Sequence, residues 1–149
     1  MLGKGVRDGP RERTVTMNVE ALDHVNIITD KLDETAEFYD NLLGLVRKDA
    51  PPPLTPETAT WMFDAADRAI IHINSLDCIR TYDREVTPGE LTGALHHVAL
   101  KCTGYEEVKG RLDAMGAEYK ENLVAAISLR QIFTPDPNNV LLELNFFAD

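Results

Sequence analysis

Apolar positions along the chain switch between two spacings, and the switch occurs twice in the same order. Leu22-Asp23-His24-Val25-Asn26-Ile27 and Leu95-His96-His97-Val98-Ala99-Leu100 are short segments of period 2, each predicting a strand that carries a histidine at an equivalent place. The spacing then changes to three or four. Leu32, Ala36, Tyr39 and Leu43 predict a helix through Leu43, capped by Asp30 or Asp33 and stopped by Gly44. Val108, Leu112 and Met115 share one face of a second helix from Tyr105 to Met115, ended by Gly116.

Three more strands are expected after each glycine. In the first half they fall near Leu45–Lys48, Ala59–Asp64 and Ala69–Asn74, and in the second near Ala117–Lys120, Ala126–Thr134 and Val140–Phe146. Pro51-Pro52-Pro53 reads as a rigid loop, and Pro135-Asp136-Pro137-Asn138-Asn139 as a turn before the last strand. The fold class is therefore α+β, a duplicated β-α-β-β-β unit. Residues 19–76 form the first module, 77–92 a linker with Pro88 and Gly89, and 93–149 the second module; 1–18 form an N-terminal extension without apolar periodicity.

The last strands of the modules also correspond. Ile70-Ile71-His72-Ile73 can be laid on Leu141-Leu142-Glu143-Leu144, so each module ends with a metal-ligand type of side chain inside an aliphatic strand. A histidine alone in a strand is ordinarily a satisfied core residue, and a glutamate ordinarily faces water. Here His24, His97, His72 and Glu143 occupy two pairs of equivalent places in a chain with four histidines in all. Burying Glu143 among leucines is costly without a partner, and a cation shared with imidazoles offsets that cost. His24, His97 and Glu143 are the expected ligands of one divalent metal, since two imidazoles and a carboxylate form the facial triad that holds Fe(II) with positions open. His72 is expected in or beside that site. His96 alternates to the other face and is expected to be structural.

Composition narrows the partners. A formal charge of −10 argues against nucleic acid and anionic membrane surfaces. No apolar run approaches the roughly 20 residues of a membrane span. Cys78 and Cys102 lack metal-type spacing, and no secretory signal is present, so a cytoplasmic protein with reduced thiols and a small-molecule substrate is expected.

The pattern LDHVNIIT…AEFYDNLLGL…GALHHVALKC…RLDAMGAEY…LRQIFTPDPNNVLLELNFF resembles the vicinal oxygen chelate superfamily over about residues 19 to 147. That superfamily includes glyoxalase I, methylmalonyl-CoA epimerase, fosfomycin and bleomycin resistance proteins and extradiol dioxygenases. The resemblance implies mixed sheets curled into an open barrel around the metal, with ligands from first and last strands. It also implies a homodimer, with the site built within one chain or across two. His72 stands where glyoxalase-like members carry a glutamate and ring-cleaving dioxygenases a proton-shuttling histidine. This favours a dioxygenase using Fe(II), or Mn(II), on a catechol-like substrate, with His72 as the catalytic acid/base. The alternative is a glyoxalase I-like lyase or an epimerase-type isomerase working through an enediolate, with Ni(II), Co(II) or Zn(II) in place of iron and His72 as a fourth ligand or the base. A non-catalytic binding protein fits less well, because the ligand set is complete. Two features depart from the dioxygenases: Phe133 fills the place of a tyrosine that Tyr39, Tyr82, Tyr105 or Tyr119 would have to replace, and there are two modules rather than four. Arg130 is a candidate for assisting an anionic substrate.

Overall fold

The computed structural model describes residues 17–148, so most of the N-terminal extension lies outside the described residues. Strand β1 (Val25–Thr29) turns Ile27 and Thr29 inward and Asn26 outward. Helix α1 (Leu32–Leu43) buries Thr35, Ala36, Tyr39 and Leu42, the expected stripe displaced slightly around the helix. Neither Asp30 nor Asp33 caps it. Lys31 holds the cap position, and Asp33 lies inside the first turn, where its charge complements the helix dipole and meets Arg47 at 2.7 Å. Gly44, at φ +67°, donates its N–H to the Asp40 carbonyl and ends the helix as expected.

Strands β2 (Val46–Asp49), β3 (Ala59–Phe63) and β4 (Ala69–Ser75) complete the first sheet, ordered β1-β4-β3-β2, with β1 and β4 parallel and the other pairs antiparallel. The second module repeats this plan. β5 (Val98–Lys101), helix α2 (Tyr105–Met115), β6 (Lys120–Val124), β7 (Leu129–Pro135) and β8 (Leu141–Phe147) form a sheet ordered β5-β8-β7-β6. The register repeats too, with Asn26 opposite His72 in the first sheet and Ala99 opposite Glu143 in the second. Two boundaries differ from expectation. β6 starts at Lys120 rather than Ala117, and a 3-10 turn at Ala125–Ile127 with Ser128 at φ +50° delays β7 to Leu129. Both histidines, His24 and His97, sit one residue before their strands rather than within them.

Sheets and helices enclose one core. Ile27, Tyr39, Leu42, Met62, Ile71 and Ile73 from the first module pack with Val98, Val108, Leu112, Ile132, Leu142 and Leu144 from the second, and α1 touches α2. Each sheet therefore turns its other face away from this shared core. Among the described residues the two sheets share no strand pair. A buried polar seam locks the modules together. Thr29 Oγ1 donates to Asn138 Oδ1 at 2.6 Å, Asn138 Nδ2 donates to Thr35 Oγ1 at 2.9 Å, and the Tyr39 hydroxyl donates to Asp136 Oδ2 at 2.9 Å. No described helix is long and apolar enough to cross a membrane.

Candidate metal centre

The open face of the second sheet carries Glu143, because Leu142, Leu144 and Phe146 on the same strand take the core side. Glu143 Oε2 lies 3.0 Å from His97 Nε2, and the carboxylate side chain is 14% exposed. The other oxygen, Oε1, accepts from Gln131 Nε2 at 2.7 Å and Asn145 Nδ2 at 2.9 Å. One oxygen is thus committed to protein donors, while the other points to the imidazole.

The first sheet carries the other pair. His24 Nδ1 lies 2.5 Å from Asp23 Oδ2, an arrangement that fixes the ring and leaves Nε2 for another partner. The hydrogen bond to His24 holds the Asp23 carboxyl below its usual range. On β4, His72 is stacked between two rings, His24 at 3.8 Å and 12° and Trp61 at 3.9 Å and 7°. Trp61 is the cross-strand partner of His72, which is why their rings meet. Burial, followed by the charge of His24, pushes the His72 pKa below that of a free histidine.

The four sequence-predicted residues therefore appear as two half-sites, His24 with His72 and His97 with Glu143. Among the described residues no group of three or more His, Cys, Asp or Glu side chains is arranged to hold a metal ion within one chain, and the His24–His72 pair is not brought beside the His97–Glu143 pair. The donors themselves suit a divalent cation: two imidazole nitrogens held by neighbouring hydrogen bonds and one half-shielded carboxylate oxygen.

Two expectations need correcting. His96 does not sit on the opposite face of a strand, because the strand starts only at Val98; it is exposed, with Nδ1 3.0 Å from His97 Nδ1. Arg130 does not reach the open face, since its cross-strand partner is Phe146; its guanidinium lies 3.3 Å above the Tyr105 ring and pairs with Glu106. Phe133 does face the site, directly opposite Glu143. No tyrosine replaces it: Tyr39 bonds to Asp136, Tyr105 to Glu121 and Tyr119 to Asp113, and Tyr82 is exposed in the linker. Sequence reasoning missed Trp61, Gln131, Asn145 and Asn122. Only Asn145 carried a local signal, a polar residue two places from Glu143 on an otherwise apolar strand; Trp61, Gln131 and Asn122 are tied to the ligands by pairing across the ladders.

Residues 21–144 match the family model of the Glyoxalase/Bleomycin resistance protein/Dioxygenase superfamily. Glyoxylase I 4 of Arabidopsis thaliana is 26% identical over 130 residues, spanning 86% of this chain and 71% of the relative. Among solved structures, a putative glyoxalase family protein from Bacillus anthracis superposes with a TM-score of 0.67 at 18% identity, over 89% of this chain and 99% of the other. The fosfomycin resistance protein FosX of Listeria monocytogenes gives 0.64 at 22% identity, over 88% and 94%.

Proposed function

Since the chain belongs to the Glyoxalase/Bleomycin resistance protein/Dioxygenase superfamily, we propose that it is a divalent-metal-dependent enzyme whose site forms across two copies. His24 and His72 of one copy join His97 and Glu143 of a second. β1 and β5 support this reading, because each is an edge strand with an unpaired side. Each is preceded by an exposed leucine, Leu22 or Leu95, two residues before its histidine. In the proposed dimer, β1 of one copy would lie beside β5 of the other and bring the half-sites together.

The chemistry we favour is proton transfer on a small substrate with two adjacent oxygens, of the glyoxalase or epimerase type. One observation carries this reading: His72, desolvated between Trp61 and His24, is held toward its neutral form, ready to take a proton. A bound divalent cation supplies Lewis acidity that makes a carbon-bound proton beside a carbonyl removable. His24 and His97, each set by a neighbouring hydrogen bond, and Glu143 through Oε2 hold that cation. A ring nitrogen of His72 takes the proton and returns it. Trp61 and Phe133 supply apolar walls that keep water from the reacting carbon. The dioxygenase expected from His72 alone is less well supported, because no tyrosine hydroxyl stands on either open face.

Metal analysis of the purified protein, then assays under argon, tests this. Turnover of a glutathione hemithioacetal or a 2-methylacyl thioester without oxygen is the expected result. Oxygen uptake with a catechol after anaerobic Fe(II) loading would instead establish the oxygenase. Full metal content in His97→Ala would remove the site itself.

A further inference from the structure

Three side-chain amides run across the open face of the second sheet to Glu143, and their orientations are not free. A carboxylate only accepts, so Gln131 must turn its Nε2 and Asn145 its Nδ2 toward Glu143 Oε1, at 2.7 and 2.9 Å. Gln131 Nε2 gives its second hydrogen to Asn145 Oδ1 at 2.9 Å, and Gln131 Oε1 accepts from Asn122 Nδ2 at 2.7 Å. Both amide hydrogens and the oxygen of Gln131 are thereby engaged, and the residue is 8% exposed. Asn122, at the other end, lies exposed on the edge strand β6.

We infer that Gln131, oriented by Asn122 and backed by Asn145, is a positioning residue that commits Glu143 to bind its cation through Oε2 alone. The inference rests on the metal-site reading above. Two amide donors saturate Oε1, so the carboxylate offers one oxygen instead of two and leaves a coordination position for substrate. The orientation passes from an exposed residue through a buried one to a ligand.

Co(II) titration of the metal-free protein, followed by the visible bands of the bound ion, tests this alongside melting of each metal-free variant. Gln131→Met should bind Co(II) about 10–100-fold more weakly, with altered bands as Oε1 loses one of its two donors, while melting near the wild-type temperature. Asn122→Asp is the sharper test. Its new carboxylate accepts instead of donating, so Gln131 must turn its amide nitrogen outward and its carbonyl toward Glu143. Weaker Co(II) binding is then expected, although added negative charge by itself would strengthen it. Tighter or unchanged binding in Asn122→Asp, or wild-type affinity and bands in Gln131→Met, overturns the inference. Should Gln131→Met fold poorly, Asn122→Asp decides alone. Glu143→Gln separates the two levels. If it binds Co(II) as wild type does, the metal-site reading fails and the inference with it. If it loses Co(II) while both other variants keep it, only the positioning role fails.

Discussion

His72 meets Trp61 face to face, and Trp61 is the only tryptophan in the chain, so the environment of the proposed base can be followed by fluorescence. A protonated imidazole stacked on an indole quenches it. Emission of the metal-free protein should therefore fall as pH drops through a value below the usual histidine figure of about 6.5. His72→Asn should abolish that step. A step at or above the ordinary histidine value would mean that His72 is not desolvated by its neighbours. The four candidate ligands were legible in the sequence because a repeat places them in equivalent positions, which no single motif does. Trp61 and Gln131 were not legible, because strand neighbours across a ladder depend on register, and register follows from pairing rather than local sequence.

Elements carry a different stability problem, the joining of two modules through a polar seam. The Pro135–Asn139 turn read from its prolines and asparagines is a turn, but it also docks against α1 and β1. Nothing local in that segment announces a partner about a hundred residues away. Tyr39→Phe removes a hydroxyl that is fully buried and leaves Asp136 Oδ2 without its donor. The expected cost is about 1–3 kcal/mol, measured by urea unfolding, above the few tenths of a surface change. Asp136 also gives a pH signature. Burial pushes its carboxyl above the ordinary 3.8, against the pull of hydrogen bonds from the Val140 and Asn138 N–H groups and the Tyr39 hydroxyl. Below 3.8 the folded and unfolded chains both hold the proton, and this favourable state is lost as pH rises through the folded value. Asp136→Asn, close in shape and unable to ionise, should therefore gain stability relative to wild type as pH rises from about 3 to 6. A constant difference over that range would show that the seam tolerates the charge. The helix stops at Gly44 and Gly116 were readable because a left-handed cap is a local requirement, whereas the late start of β6 was not, being set by its pairing with β7.

At the scale of the molecule, helix α1 against α2 closes the core and leaves both ligand-bearing faces pointing away from it, which is why the proposed site calls for a second copy. This makes subunit complementation the decisive measurement. A variant with His24→Ala and His72→Ala has no usable first-module half, and Glu143→Gln has no usable second-module half. Each alone should bind little metal and turn over little substrate. In a mixed dimer, however, the Glu143→Gln copy supplies an intact His24–His72 pair, and the double variant supplies an intact His97–Glu143 pair. One of the two sites is then whole, and the other carries both defects. Random reassociation makes about half of the dimers mixed, so about a quarter of wild-type sites should return. Recovery on mixing the two inactive proteins is possible only if ligands cross between copies. If the site were closed within one chain, mixing would recover nothing, and the two half-sites would have to meet by a rearrangement of the modules about the Tyr39–Asp136 seam.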